Sequence, residues 1–270
     1  MGFDGFVREA GFMDYLSRDN YPAFSDSVYD GAWGICDEPF FLFAARRMNE
    51  HRTPFCDVIF SLSSHDPCTI PKHRKKLFDA FNQESDFERA LRYSDFSLQQ
   101  YFQYAKNQSW FENTLFIITA DHTYYGTRNN FYDTFHIPLL IFAPKILQPQ
   151  RIEGIGSHVD ILPTIIDILR FGTVHASIGT SLLDTTKQHY AVVKYGPYFV
   201  IFENRYIFMS KLDNDKELYE YAKPLPECNA NIVDQFPLLA DSLKDKLYSY
   251  LQCVTNALAN NKVYIDTRKK

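Results

Sequence analysis

Two kinds of apolar pattern alternate along the first two thirds of the chain. One is a short, almost continuous run: Asp57-Val58-Ile59-Phe60-Ser61-Leu62, Leu115-Phe116-Ile117-Ile118-Thr119-Ala120 and Pro138-Leu139-Leu140-Ile141-Phe142-Ala143. Each run has strand length. They end abruptly, in Ser63-Ser64-His65-Asp66-Pro67, in Asp121-His122 and in Pro144. The other pattern has helical spacing. Leu91, Leu98, Tyr101, Phe102 and Ala105 fall on one face of a helix predicted over Phe87–Lys106. A helix is also predicted from Asp37, a candidate N-cap with Pro39 near the first turn, to Glu50. Another follows Val159, with Asp160 or Leu162 at its cap and Pro163 suited to its first turn, and reaches Arg170.

Buried strands alternating with amphipathic helices predict an α/β fold with a mostly parallel sheet sandwiched by helices. The texture changes near residue 186. Tyr190–Lys194, Tyr198–Glu203 and Arg205–Ser210 are short runs rich in Tyr, Val, Phe and Ile, and Glu203-Asn204 marks a turn between two of them. They predict a small antiparallel sheet, followed by a helix from Leu238 to Asn260. The expected organisation is residues 1–185 in the α/β domain and 186–270 in a sheet-and-helix appendage. In open sheets of the first kind, ligands bind beyond the carboxyl ends of the strands, which is where Ser64-His65 and Asp121-His122 fall.

Composition adds limits. Apolar residues make up 46% of the 270 and aromatics 16%, enough for a sizeable core. A net charge of −5 argues against a general nucleic-acid binder. Lys72-His73-Arg74-Lys75-Lys76 is a local exception, either a solvated loop or helix end or a contact for an anionic substrate or lipid headgroup. The five cysteines include no Cys-x-x-Cys pair, and an odd number leaves at least one unpaired within the chain. No run of about 18 apolar residues is present to cross a bilayer. The start has no basic region followed by an apolar run, so any address for export is expected upstream.

Asp121-His122 is the sharpest chemical signal. Carboxylate and imidazole are both ligands for Zn²⁺ or Mn²⁺. Neighbours within a strand point to opposite faces, but at a strand end the chain turns and both can converge. An Asp-His dipeptide is also an ordinary loop sequence. Nucleophile elbows, phosphate-binding Gly loops, dinucleotide fingerprints and the His-Glu-x-x-His zinc helix are all absent.

Five blocks, in order between residues 33 and 184, resemble the sulfatase family of the alkaline phosphatase superfamily, closest to its lipoteichoic-acid-synthase-like (phosphoglycerol transferase) branch. Glu112-Asn113-Thr114 leading through the apolar strand to Asp121-His122 resembles the family's metal motif, and Ala90–Asp95 resembles the helix before it. His136-Ile137-Pro138-Leu139-Leu140-Ile141-Phe142-Ala143-Pro144, Ser157-His158-Val159-Asp160-Ile161-Leu162-Pro163-Thr164 and Gly179-Thr180-Ser181-Leu182-Leu183 resemble the strand, helix start and closing turn that follow. Leu62–Pro67 resembles the family's Thr/Ser-x-His-x-Pro loop.

The resemblance implies Asp121 and His122 as metal ligands, with Mn²⁺ or Zn²⁺ expected and Mg²⁺ or Ca²⁺ as further candidates. It implies His65 at the transferred phosphoryl or sulfuryl group, with a loop histidine bonded to backbone as the alternative. His136 is a candidate for binding the substrate or a second metal, with a structural histidine closing the site loop as the alternative, and Arg128 is a candidate for touching an anionic headgroup. His158 and Asp160 read as structural. The implied substrate is an anionic ester, with a lipid headgroup in the closest branch, and no nucleic acid is expected. The family's Thr, Ser or formylglycine nucleophile and its upstream acidic ligand have no counterpart here. The chain is therefore expected to be the carboxyl-terminal part of the catalytic domain, its amino-terminal part missing. The parent protein is expected to be anchored in the inner membrane by an upstream segment, with this domain facing the periplasm or the outside. A non-catalytic remnant, or a subunit completing the site of a separate amino-terminal chain, are the alternatives.

Overall fold

A computed structural model describes residues 3–22, 27–124, 130–212 and 215–262. The chain forms two compact units, Met1–Phe116 with Phe142–Leu147, and Ile117–Ile141 with Gln148–Lys270.

Among the described residues the first unit holds four α-helices: α1 (Phe3–Glu9), α2 (Asp37–Met48), α3 (Lys72–Phe78) and α4 (Asp86–Ala105). α4 begins at a capping box, in which the Ser85 hydroxyl accepts from the Glu88 amide and the Glu88 carboxylate accepts from the Ser85 amide. Its buried stripe is Ala90, Tyr93, Ser97, Tyr101 and Ala105, spaced by three and four residues. Phe41, Ala45 and Met48 of α2 pack with Tyr101, Ala105, Trp110 and Phe116 in one cluster. Two alanines at this seam let the helices approach closely, and the rings around them supply the buried area. The stripe differs in phase from the sequence reading: Leu91 is exposed, while Ser97 is buried with its hydroxyl returned to the Tyr93 carbonyl at 2.7 Å.

Asp57–Leu62 is extended but belongs to neither sheet among the described residues, so the predicted strand is not formed there. Ile59 packs on the α2–α4 cluster, while Val58 and Phe60 face outward. The end of the segment is held by a side chain instead. Asp37, read from sequence as an N-cap, is the first residue of α2, with Cys36 at the cap. Its buried carboxylate accepts the Leu62 and Ser63 amides at 2.7 and 3.0 Å and the Ser94 hydroxyl at 2.7 Å.

Six strands form two sheets among the described residues, and the mostly parallel sheet expected from sequence is not among them. β1 (Phe116–Thr119) pairs with β2 (Leu139–Phe142). β3 (Tyr190–Tyr195), β4 (Tyr198–Glu203), β5 (Tyr206–Ser210) and β6 (Glu217–Glu220) form an antiparallel meander in chain order. Its first two turns place Gly196 and Asn204 at φ +55° and +53°, the left-handed region that these two residue types tolerate best.

One face of the meander, with Ile201, Phe208 and Leu218, packs on Ala240, Leu243 and Leu247 of α6 (Pro237–Ala259). Burying each leucine contributes about 1.5–3 kcal/mol. The opposite face, with Val200, Phe202, Ile207 and Met209, receives Phe131, Tyr132 and Phe135. The meander thus acts as a platform for Phe131–Phe135, which lead into β2. Between β2 and β3 the second unit carries α5 (Ile161–Ile168). Among the described residues no helix is long and apolar enough to cross a membrane.

Candidate active site

β1 ends at Thr119, whose hydroxyl donates to the Pro138 carbonyl at 2.9 Å. Beyond Ala120 the chain bends at Asp121 and His122, both exposed. The His122 amide donates to Asp121 Oδ1 at 2.9 Å. His122 Nδ1 lies 2.8 Å from the Thr123 carbonyl. A carbonyl can only accept, so that nitrogen carries a ring proton, and in the neutral tautomer the lone pair is on Nε2. Nε2 stands 3.7 Å from Asp121 Oδ2. Two ligands of a tetrahedral ion at about 2.0–2.1 Å radius are roughly 3.3 Å apart, so the pair is close to the spacing that one ion needs. Among the described residues no group of three or more His, Cys, Asp or Glu gathers, so these two donors have no third beside them. Thr123 anchors the loop through its hydroxyl, which donates to the Thr134 carbonyl at 2.6 Å.

The turn before α5 touches this strand end. His158 Nε2 donates to the Ala120 carbonyl at 2.8 Å. That nitrogen is thereby committed to backbone. Asp160 is buried, and its carboxylate accepts the Ser157 amide and, through Oδ1, the Thr180 amide, both at 2.8 Å. The Ser177 hydroxyl donates to the Val159 carbonyl at 2.8 Å, and the Leu182 amide to the Thr164 hydroxyl at 2.9 Å. Gly179 completes the interlock: a Cβ there would meet the Val159 carbonyl oxygen at 2.0 Å. The Ser157–Thr164 and Gly179–Leu183 blocks are therefore two halves of one device that fixes His158 against the strand carrying Asp121.

His136 is exposed, with its ring 4.8 Å from that of Tyr132. Tyr132 in turn stacks on Tyr221 at 4.4 Å, with 6° between the ring planes. Neither His136 nor His158 forms a three-donor group with Asp121 and His122. Arg128 lies outside the described residues.

In the first unit, His65 sits in a tight turn, its amide bonded to the Leu62 carbonyl and its carbonyl to the Cys68 amide. Its Nδ1 lies 2.9 Å from the Asp66 carbonyl, which fixes the proton there and leaves Nε2 as the other, variable position. Trp33 Nε1 donates to the same carbonyl at 3.0 Å. The Trp33 and His65 rings meet edge-on, 4.9 Å apart. Trp33 is thus an anchor of the histidine loop. Its own loop is set by Asp30, whose Oδ1 accepts the Ala32, Trp33 and Gly34 amides at 2.8–2.9 Å.

The sulfatase family model matches residues 1–171. Over 200 residues the chain is 25% identical to lipoteichoic acid synthase-like YvgJ of Bacillus subtilis, covering 66% of this chain and 32% of that protein. Lipoteichoic acid synthase 1 of the same organism is 22% identical over 188 residues, 61% of this chain and 28% of its own length. The chain thus spans about a third of the length of these relatives. A Vibrio parahaemolyticus protein in the alkaline phosphatase superfamily superposes with a TM-score of 0.75 at 23% identity, over 95% of this chain and 62% of that one. The phosphonate monoester hydrolase of Agrobacterium radiobacter gives 0.56 at 19% identity, over 91% and 68%. The fold is that of the alkaline phosphatase superfamily.

Proposed function

This chain belongs to the sulfatase family, and from that membership we propose that it forms the carboxyl-terminal part of a metal-dependent catalytic domain acting on phosphate or sulfate esters. The observation that carries the proposal is the Asp121–His122 pair: two good donors at a strand end, 3.7 Å apart, with the imidazole proton held away from the ligand position. A divalent ion held by Asp121 and His122 would supply charge neutralisation for the non-bridging oxygens and lower the pKa of a bound hydroxyl. Mn²⁺ or Zn²⁺ fits the donor types. Complete zinc sites use about three or four protein ligands. On this reading the remaining ligands and the nucleophile come from residues other than those described here.

His65 is assigned to the leaving group. As an imidazolium it holds one proton on the Asp66 carbonyl and presents the other at Nε2. Transfer of the Nε2 proton to the leaving oxygen returns the neutral tautomer that this carbonyl favours. His136 and Arg128 are assigned to the anionic substrate, for which a lipid headgroup is the class that the lipoteichoic acid synthase relatives suggest. Residues 1–185 are read as catalytic-domain sequence and 186–270 as the appendage, with the parent protein anchored in the inner membrane and this domain facing outward.

Titration of the full chain with Zn²⁺ and Mn²⁺, followed calorimetrically and by His122 ring NMR signals, tests the centre. Weak binding abolished in an Asp121→Ala/His122→Ala variant is expected. Tight stoichiometric binding that survives both substitutions would show that the ion is held elsewhere.

A further inference from the structure

α3 turns a lysine-rich face outward. Arg74 and Phe78, four residues apart, are its inward side chains. Phe78 is buried with its ring edge-on to Tyr93 at 5.8 Å. The Arg74 guanidinium forks onto the buried Glu38 carboxylate, with Nε 2.8 Å from Oε2, and lies over the Phe96 ring at 5.1 Å. At about 100° per residue, the direction opposite Arg74 and Phe78 is centred on Lys76, flanked by Lys72 and His73, with Lys75 and Leu77 at the two edges. All three lysines are exposed, and none makes an ion pair among the described residues. His73, on the same face, lies 3.8 Å from Glu38. Leu77 beside Lys76 is 52% exposed.

We infer that this face docks on an anionic phospholipid bilayer surface. The chain as a whole is acidic, with 33 carboxylates against 28 Lys and Arg, so a concentrated basic face is not a by-product of composition. Lysine ammonium groups are hydrated point charges suited to a diffuse negative surface, whereas fixed bidentate recognition of a single phosphate calls for arginine. The one arginine of α3 is turned inward and spent on Glu38. An exposed leucine at the end of a lysine face matches the headgroup–acyl boundary, where basic and apolar contacts add. A nucleic-acid partner fits less well, because the exposed Leu77 gains nothing against a phosphate backbone.

Co-sedimentation of the full chain with vesicles tests this. Binding to vesicles containing phosphatidylglycerol is expected, weakened by salt and absent with phosphatidylcholine alone. Lys72→Gln/Lys75→Gln/Lys76→Gln should lower the partition coefficient on the order of a hundredfold. Lys76→Gln alone should lower it several-fold, and it decides the matter if the triple variant melts early. Asp121→Ala/His122→Ala should bind vesicles as the unsubstituted chain does, so the surface and the metal centre can fail separately. No binding to anionic vesicles, equal binding to neutral ones, binding unaffected by the lysine substitutions, or tighter binding to duplex DNA or RNA would each overturn the inference.

Discussion

His158 donates its Nε2 proton to the carbonyl of Ala120 at 2.8 Å, across 38 residues of sequence. This bond ties the start of α5 to the residue immediately before Asp121. Its role on this geometry is to position the bend, because the nitrogen that could have served as a ligand is committed to backbone. Removing such a support beneath a metal ligand typically costs about 10- to 100-fold in affinity. His158→Ala should therefore weaken Zn²⁺ binding at least about tenfold. His158→Gln, which can still donate to the carbonyl, should recover part of the loss. Unchanged affinity in His158→Ala, by His122-detected NMR titration, would remove His158 from the account of the site.

Gly179 gives the most severe steric prediction. A methyl group there would have to displace the Val159 carbonyl, which lies 2.0 Å from the Cβ position and is backbone, so no side chain can swing aside. Gly179→Ala should cost about 3 kcal/mol, the upper end of ordinary overpacking. Gly172, exposed and with nothing within 4 Å of its Cβ position, is the matched control. Gly172→Ala should stay within about 0.5 kcal/mol, as surface substitutions do. Urea unfolding of the two variants measures the difference, and similar midpoints would mean that the turn relaxes freely.

Much of this was legible in the sequence where a pattern is local. β1 and β2 announce themselves because each is an apolar run cut off by polar residues, and the strand end makes Asp121-His122 stand out. α3 was not legible, because Lys72–Lys76 has no apolar period; its inward contact is a guanidinium on a buried carboxylate. β6 was missed for a similar reason: Glu217-Leu218-Tyr219-Glu220 is short and half charged. Asp57–Leu62 failed in the opposite way. Its residues suit a strand, but a strand exists only by pairing, which no local pattern supplies. In the His65 loop the Trp33–Asp66 bond spans 33 residues, and in the second unit the Gly179–Val159 contact joins two motifs that the sequence shows only as neighbours in order.

The thiols should separate by burial. Cys36 is fully buried, and burial together with the nearby Asp30 and Asp37 carboxylates pushes its pKa up to about 12. At pH 8 it is a neutral thiol and a poor nucleophile. Cys56 and Cys253 are exposed. Iodoacetamide at pH 8 should label those two and spare Cys36, as read by peptide mass spectrometry. The linkage has a definite sign. A pKa raised in the folded state stabilises the fold fully below the unfolded value of 9.0, and this contribution is lost as pH rises from there through about 12. Cys36→Ser should flatten that alkaline loss, since serine does not titrate there. Early labelling of Cys36 in the folded protein would contradict the burial argument.

Asp37 should be the costliest polar side chain to remove from the first unit. Its carboxylate accepts two backbone amides and one hydroxyl from three places in the chain, at Leu62, Ser63 and Ser94, and its own amide donates to the Ser63 hydroxyl at 2.9 Å. It is 1% exposed, so water cannot replace it. Asp37→Ala strands the Leu62 and Ser63 amides, and each buried unsatisfied donor costs about 1–3 kcal/mol. The expected loss is therefore roughly 2–6 kcal/mol in urea unfolding. Asp37→Asn keeps one oxygen for the two amides but loses the charge, and should fall between the variant and the parent. The effect should also reach His65, two residues beyond Ser63, because Leu62 accepts the His65 amide. Amide exchange at Ser63 and His65 should quicken in Asp37→Ala even at temperatures where α4 remains protected. If those amides stay as slow as in the parent, the loop is held by Trp33 and the Asp66 carbonyl alone, and the clamp assigned to Asp37 is only a stabiliser of α2.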